Sequence, residues 1–221
     1  MAEFVEIITK DNHKFQAYLS QPKQKVKGGI VIIQEIFGVN KHIKEICNLY
    51  SNYGFLTIAP CLFDREEKNI ELDYDQNGVM EGRRLKELFN ELSINEIESS
   101  ISYVEAAGKV AVIGYCWGGS LSWKAACKFN NLSSSIIYYG GDVPKLKNLK
   151  PNCPTMCHFG ELDQSIPLDD VREFKKLNEN VDVYTYPADH GFNCNHRKQY
   201  DKKCSDIAFE RSLDFLEKTL N

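Results

Sequence analysis

The sequence has little of what membrane-spanning and nucleic-acid-binding proteins need. No segment reaches the ~18 consecutive apolar residues that a membrane helix requires. Acidic residues outnumber basic ones by 31 to 27, which gives a formal charge of −4. No basic helix or stripe is visible, and neither is an internal repeat or a low-complexity tract. We therefore expect no membrane span and no nucleic-acid partner.

The segment 1–5 lacks both a basic region and a long apolar core. Secretory signal peptides need both features, so we expect no signal peptide and a cytoplasmic protein. The eight cysteines would suffice for four disulfides in an exported protein. Reduced thiols are the expectation for a cytoplasmic chain of this size.

A metal site is a weaker alternative reading of the cysteines and histidines. Its candidate ligands are Cys153, Cys157, His158, Cys194 and His196. Cys157 and His158 are neighbours on a predicted strand, so their side chains face opposite sides, and these residues form no C-x-x-C pair. We expect neither a metal nor a cofactor.

Buried-strand patterns alternate with helical patterns along the chain, which predicts one α/β domain over residues 1–221. Its central sheet should be mostly parallel, with about eight strands, and flanked by helices in three layers. The predicted strands cover 4–9, 14–19, 29–34, 55–59, 109–115, 135–139, 154–159 and 181–186. The predicted helices cover 41–53, 79–90, 94–107, 117–129, 168–178 and 205–220. Asp11 and Asn12 should join the first two strands as an antiparallel hairpin.

A thiol lies at the most informative point of the chain, in Gly114-Tyr115-Cys116-Trp117-Gly118-Gly119, directly after an apolar run. A strand that turns sharply into a helix forces the central residue into a strained, positive-φ conformation, and glycines two positions away relieve the crowding. α/β-Hydrolases place their nucleophile at this turn. The following helix N-terminus would favour a thiolate. The alternative is an ordinary glycine turn with a small buried cysteine.

Two candidate partners follow Cys116 in the order nucleophile, acid, histidine that α/β-hydrolases use. Asp163 lies in a loop after a predicted strand, before Pro167, which is expected at the first position of a helix. A turn or helix-capping role would also suit this aspartate, and Glu161 is the competing acid. We favour Asp163 because it lies deeper in the loop.

His190 follows the alternating strand at 181–186 and is placed for proton transfer, since the pKa of histidine is near neutrality. The other four histidines are easier to assign elsewhere: His13 and His42 among surface-like charges, His158 in an apolar strand and His196 in a polar loop. Asp189 is read as a solvated neighbour of His190.

A continuous β-branched run ends in Gln34-Glu35-Ile36-Phe37-Gly38-Val39-Asn40, where a strand buried on both faces emerges. In the hydrolase topology this loop supplies an oxyanion-hole N–H, and an acid there would face the nucleophile. A glutamate at a strand end is also commonly just solvated, so Glu35 alone decides little.

These segments, together with Gly160-x-x-Asp163 and His190-Gly191-Phe192, resemble the dienelactone hydrolase (carboxymethylenebutenolidase) family over nearly the whole chain. The resemblance implies a single-domain α/β-hydrolase that cleaves small lactones or esters. It implies Cys116 as nucleophile, His190 as general base and then acid, and Asp163 as the group that orients the imidazole.

The resemblance also implies an oxyanion hole formed by the backbone N–H groups of Ile36 and Trp117. Glu35 would hold the resting thiol and take its proton when substrate binds. A small ester or lactone is the expected partner, and the protein is expected to be a monomer or a small homo-oligomer.

The resemblance also implies arginines that hold a substrate carboxylate, as in the dienelactone hydrolase family. The sequence departs from the family pattern at these positions. Cys194 stands four residues beyond His190, where the family has one of these arginines. Arg197 is a candidate substitute, and Arg83 or Arg84 is a candidate for the other arginine. A solvated surface charge is the alternative for all three.

Two further alternatives remain open. Cys116 could be oxidised reversibly and resolved by Cys194 or another thiol, which would make the protein a redox-responsive protein on a hydrolase scaffold. The acidic stretch 64–77 is either a loop over the active site or a solvated excursion.

Overall fold

The strands and helices follow the alternation predicted from the sequence. The protein is described here by a computed structural model covering residues 2–220, which contain eight strands and six α-helices. The strands are Ala2–Ile8 (β1), Lys14–Ser20 (β2), Gly28–Ile33 (β3), Phe55–Pro60 (β4), Val110–Tyr115 (β5), Ser134–Tyr138 (β6), Thr155–Gly160 (β7) and Val181–Tyr186 (β8). The helices are Lys41–Asn52 (α1), Gln76–Phe89 (α2), Ser93–Val104 (α3), Trp117–Lys128 (α4), Leu168–Leu177 (α5) and Lys202–Leu220 (α6).

The strands form one sheet in the order β1-β2-β4-β3-β5-β6-β7-β8. β1 pairs antiparallel with β2, as the hairpin prediction requires, and β2 pairs antiparallel with β4. The pairs β3–β4, β6–β7 and β7–β8 are parallel. The mostly parallel sheet with intervening helices confirms the predicted fold class.

The chain divides into two compact units, with the boundary between Ala111 and Val112. In the first unit, α1 and α3 pack against β3 and β4. β3 is buried at every position, as expected for a strand covered on both faces. The Asn40 side chain caps α1 by accepting a hydrogen bond from the Ile43 N–H at 3.3 Å. The single domain expected over residues 1–221 stays a prediction.

The acidic stretch 64–77 is anchored within the first unit. Asp64 is buried and accepts hydrogen bonds from the backbone N–H groups of Gln16 (2.7 Å) and Asn69 (3.0 Å). Gly38 forms an isolated bridge with Glu71. The stretch is therefore tied to the β2 strand and to the turn after β3, and not a freely solvated excursion.

In the second unit, α4 packs against β6, and α6 packs against β6 and β7. The turn from β5 into α4 leaves no room for a side chain at Gly114. A Cβ there would lie 1.9 Å from the carbonyl oxygen of Gly118 in the first turn of α4. This close approach explains physically why glycine precedes the cysteine by two residues.

Two helices begin three residues before their predicted starts, and Pro167 takes a different position from the one expected. α2 begins at Gln76, three residues early, because Asp75 caps it by accepting the Gly78 N–H at 2.7 Å. Asp201 similarly accepts the Cys204 N–H at 2.9 Å, and α6 begins at Lys202. Pro167 takes the N-cap position and not the first helical position, since its ψ of 131° is extended.

Among the described residues, none of the helices combines the length and the apolar character needed to cross a membrane. The eight cysteines, all within residues 2–220, are free thiols.

Replacing Gly114 by alanine should destabilise the protein by about 3 kcal/mol, at the top of the range for overpacked cores, because backbone and not a movable side chain blocks the new methyl group. Urea unfolding measures the change. Gly141→Ala is the matched control, since a Cβ at Gly141 meets nothing within 4 Å; its effect should stay within about 0.5 kcal/mol. Equal losses in the two variants would contradict this account of the turn.

Candidate active site

Cys116 occupies the strained position that the sequence predicts. It lies between the end of β5 and the start of α4 with φ 54° and ψ −115°. Its backbone N–H donates to the carbonyl of Tyr138 at 3.0 Å, which ties the turn to the end of β6. Cys116 is half-buried, whereas Tyr115 and Trp117 on either side of it are buried. The turn thus presents the thiol at the N-terminus of α4.

Asp163 lies in the loop after β7 and is buried. One of its carboxylate oxygens, Oδ1, accepts the Ser165 backbone N–H at 2.9 Å and the Ser165 hydroxyl. Sequence reasoning missed Ser165, although Asp-x-Ser is typical of an Asx turn. Because Ser165 holds Oδ1, the second oxygen is directed to another partner.

That partner is His190, in the loop after β8. Its Nδ1 lies 2.6 Å from Asp163 Oδ2. The competing acids are engaged elsewhere: Glu161 accepts the Thr185 hydroxyl at 2.8 Å, and Asp189 accepts the His190 backbone N–H at 2.6 Å. Asp163 is therefore the acid that hydrogen-bonds the imidazole of His190, and Glu161 and Asp189 bind other groups.

A tyrosine that sequence reasoning did not identify packs on the histidine. The rings of Tyr139 and His190 lie 5.0 Å apart at 59°. Tyr139 directly follows β6 with φ 39°, an uncommon conformation for a non-glycine residue. Its only sequence signal is its place before Gly140 and Gly141 at a strand end.

His190 also interacts with Cys116. Burial lowers the pKa of His190, but the Cys116 thiolate charge, hydrogen bonds from Asp163 and Cys116, and the Asp163 charge raise it to about 10. Burial would raise the pKa of Asp163, yet His190 and Ser165 together hold it below its usual value. The Asp163 carboxylate and the His190 imidazolium thus stabilise each other's charged forms.

Glu35 lies in the first unit and is buried. The hydroxyl of Tyr74 donates to Glu35 Oε2 at 3.3 Å, and the Asn40 amide donates to that hydroxyl at 3.0 Å. The Tyr74 ring also packs edge-on against Phe37, with 4.6 Å between ring centroids. Tyr74 therefore lies over the turn that carries Glu35. Glu35 is therefore held by side chains and is not a solvated strand-end acid; its expected role toward Cys116 stays a prediction.

The backbone groups expected to form an oxyanion hole are located as follows. Trp117 is the first residue of α4, where a helix leaves N–H groups without intrahelical acceptors. Ile36 lies in the first unit, and its carbonyl oxygen would be 2.1 Å from a Cβ at Gly82 of α2. The oxyanion role of both residues stays a prediction.

The three candidate arginines have different surroundings. Arg83 is exposed on α2. Arg84 pairs on the surface with Glu66 at 2.8 Å and with Glu81 at 2.7 Å. The guanidinium of Arg197 lies over Gly191, with Nη1 2.8 Å from the position a Cβ would take there. Of the three candidates, Arg197 therefore packs against Gly191, the residue that follows His190.

Comparison with solved structures defines the class of protein. A Klebsiella pneumoniae protein assigned as a dienelactone hydrolase superposes with a TM-score of 0.83 at 24% identity, with 97% of each chain covered. An esterase from Pyrococcus furiosus superposes with a TM-score of 0.70 at 14% identity over 100% of this chain and 93% of its own. At such identities the likeness shows the fold, which is that of the α/β-hydrolases.

Sequence comparison narrows the class to a family. The model of the dienelactone hydrolase family matches residues 15–220. Carboxymethylenebutenolidase 1 of Cupriavidus pinatubonensis is 31% identical, with 98% of this chain and 97% of its own covered. The carboxymethylenebutenolidase of Pseudomonas putida is 29% identical, with 98% and 96% covered. The chain belongs to the dienelactone hydrolase family and is a hydrolase, which confirms the resemblance read from its motifs.

Removing the Cys116 side-chain sulfur should lower the pKa of His190. In Cys116→Ala we expect it to fall from about 10 toward the ordinary value of about 6.5, because the largest raising interaction is lost. In the wild type, the pKa of His190 is higher in the folded state than in the unfolded state. Protonation of His190 therefore stabilises the fold fully below about pH 6.5, and this stabilisation is lost as pH rises through about 10.

An NMR titration of the His190 ring measures this change. Cys127→Ala is the control, because Cys127 lies in α4, away from the imidazole's partners, and should leave the titration unchanged. A His190 pKa unchanged in Cys116→Ala would refute the coupling.

Proposed function

We propose that the protein hydrolyses small lactones or carboxylic esters through a triad of Cys116, His190 and Asp163 and an acyl-thioenzyme intermediate. The observation that supports this best is the contact series from the Asp163 carboxylate through His190 to Cys116. These residues lie in three loops that follow β5, β7 and β8. Parallel strands end at the same edge of a sheet, so one domain over residues 1–221 would assemble the site there.

The first half of the reaction makes the acyl-enzyme. His190 Nε2 takes the proton of Cys116 Sγ, and the sulfur attacks the substrate carbonyl carbon. When the tetrahedral intermediate collapses, the carbon–oxygen ester bond breaks, and His190 Nε2 returns the proton to the leaving alkoxide. Asp163 Oδ2 accepts the Nδ1–H throughout, which keeps Nε2 toward the sulfur.

The second half releases the acid. His190 Nε2 takes a proton from water, the hydroxide attacks the thioester carbon, and the carbon–sulfur bond breaks. The product is a carboxylic acid, and the thiol regains its proton from His190. In both halves the backbone N–H of Trp117 would stabilise the oxyanion together with that of Ile36. The family resemblance implies that Glu35 takes the Cys116 thiol proton first when substrate binds. Glu35 would then transfer this proton to His190 Nε2, and the later steps are unchanged.

The names of the relatives point to a lactone that carries a carboxylate. We propose Arg197 as the group that binds this carboxylate, because its guanidinium lies over Gly191 next to His190. Arg84 is less well placed, since Glu66 and Glu81 already neutralise it. Arg197 would then compensate for Cys194 at the position where the family has an arginine.

The redox alternative has less support. A reversible thiol switch has no use for a carboxylate aligned on an imidazole, and Cys194, the expected resolving thiol, is fully buried. The cytoplasmic location and the monomer or small homo-oligomer expected from the sequence stay predictions.

Exposure of the reduced protein to activated esters and lactones should give an acyl adduct on Cys116 together with turnover. Intact-protein and peptide mass spectrometry detect the adduct and locate it. Cys116→Ala should lose both the adduct and turnover, and Cys127→Ala should keep both. If no compound acylates the protein and mild peroxide instead gives a disulfide that includes Cys116, the redox function would replace hydrolysis.

Arg197→Met should raise KM about tenfold for an ester that carries a carboxylate, since a hydrogen-bonded charge pair contributes about 1.5 kcal/mol or more. KM for a matched uncharged ester should not change. Arg172→Met, which removes an exposed arginine of α5 paired with Asp169, is the control for loss of surface charge. An equal rise in KM for both esters would exclude a role in carboxylate binding.

A further inference from the structure

A chain of hydrogen-bonded side chains crosses the second unit behind the triad. His158, at the centre, is fully buried in β7. Its Nδ1 lies 2.7 Å from the Tyr186 hydroxyl, and its Nε2 lies 3.0 Å from the Ser212 hydroxyl. At one end Arg211 Nη1 donates to the Tyr186 oxygen at 3.0 Å. At the other end Ser212 lies 2.8 Å from the hydroxyl of Tyr138.

The direction of every hydrogen bond follows from the two ends. The Tyr138 hydroxyl donates its only proton to the carbonyl of Ala208 at 3.2 Å, so it must accept from Ser212. Ser212 then has no proton left and accepts from His158 Nε2–H. Nδ1 of a neutral imidazole is an acceptor, so the Tyr186 O–H donates to it, while the Tyr186 oxygen accepts from Arg211.

The protonation of His158 agrees with this order. Burial, together with the nearby charge of Arg211, lowers the pKa of His158 to about 3. The imidazole is therefore neutral, with one donor and one acceptor, and the chain has a single direction from Arg211 to Ala208. Five side chains are satisfied together, so removal of one leaves its neighbours with unpaired buried groups.

Tyr186 connects this chain to both loops of the proposed triad. It is the last residue of β8, and its carbonyl accepts the N–H of Glu161 at 2.8 Å and of Ala188 at 2.7 Å. The N–H of Leu162 donates in turn to the carbonyl of Ala188 at 3.0 Å. The loops that carry Asp163 and His190 are thus joined to each other and to one residue.

The ring of Tyr186 makes a second connection. It packs against Phe192 with 5.1 Å between centroids, and Phe192 packs against Tyr139 at 5.6 Å. Tyr139 in turn contacts the ring of His190 at 5.0 Å. A shift of the Tyr186 ring would therefore be transmitted through Phe192 and Tyr139 to the imidazole of His190.

We propose that Tyr186 is a positioning residue, which the directed chain Arg211–Tyr186–His158–Ser212–Tyr138 holds in place so that His190 stays aligned on Asp163. Such alignment of reacting groups matters because a small displacement of the imidazole lowers the rate of the catalysed reaction strongly. Its meaning for catalysis rests on the proposed hydrolysis, but the alignment itself is a property of the imidazole and is measurable without substrate.

Tyr186→Phe tests this proposal, with Tyr184→Phe as the matched control. Both variants remove one hydroxyl from the same strand, and the Tyr184 ring also contacts Arg211, at 4.2 Å, and His158, at 5.9 Å. The Tyr184 hydroxyl is not a member of the chain. Three readouts apply: the NMR titration of His190, the alkylation rate of Cys116 by iodoacetamide at neutral pH, and kcat and KM for an activated ester.

In Tyr186→Phe we expect the pKa of His190 to fall below its wild-type value, slower alkylation of Cys116, and a kcat reduced about tenfold to hundredfold with little change in KM. Tyr184→Phe should match the wild type in all three. A Tyr186→Phe protein with a lower Tm but unchanged titration, alkylation and kcat would overturn the proposal and leave the chain a structural role only.

Ser212→Ala provides a second test if Tyr186→Phe fails to fold. It removes the acceptor of His158 Nε2–H and should move the proton to Nδ1, where it opposes the Tyr186 O–H. The ¹⁵N shifts of His158 report this change of tautomer, and the His190 titration should move in the same direction as in Tyr186→Phe. An unchanged tautomer would refute the deduced direction, and an unchanged His190 titration would refute the positioning role.

The two proposals fail separately. If the wild-type protein hydrolyses no ester, while Tyr186→Phe still changes the His190 titration and Cys116 alkylation, the proposed function falls and the positioning role stands. If esters are hydrolysed and Tyr186→Phe behaves as Tyr184→Phe does, only the positioning role falls.

Discussion

The sharp turn from β5 into α4 constrains everything else at the site. A residue at φ 54° with a helix beginning behind it cannot relax without moving the strand or the helix. The turn needs Gly114 because α4 passes within 1.9 Å of a Cβ at that position, and it needs the hydrogen bond from Cys116 N–H to Tyr138. Because of this turn, the thiol of Cys116 lies in a fixed orientation at the N-terminus of α4, where the helix dipole favours an anion.

Local hydrogen bonds then bring the other loops to the thiol. Ser165 holds one oxygen of Asp163, so the other oxygen meets His190, and Asp189 holds the backbone of His190. Tyr186 ties the starts of both loops together. Loops at the end of a sheet are ordinarily its most mobile parts, and here each one is anchored within a few residues of its functional side chain.

His158 and His190, both in the second unit, show how the partners of a histidine determine its charge. His158 meets neutral hydroxyls and lies near the cation Arg211, so burial prevails and its pKa falls to about 3. His190 meets a carboxylate and a thiol, and these overcome burial and raise its pKa to about 10. The histidine side chain is therefore a neutral link between hydroxyl groups in one place and the charged partner of a carboxylate and a thiol in another.

The sequence by itself determined the alternation of strands and helices and the place of the Cys116 turn, because these depend on local periodicity and on glycine spacing. It also placed the candidate residues Cys116, Asp163 and His190 in loops that follow strands. Only the tertiary structure decided that Asp163, and neither Glu161 nor Asp189, contacts His190, since all three are acids close by in their loops. It also decided that His158, which reads as part of an apolar strand, binds Ser212, 54 residues away. A local pattern determines backbone direction and burial, whereas the partner of a polar atom depends on residues that only folding brings near.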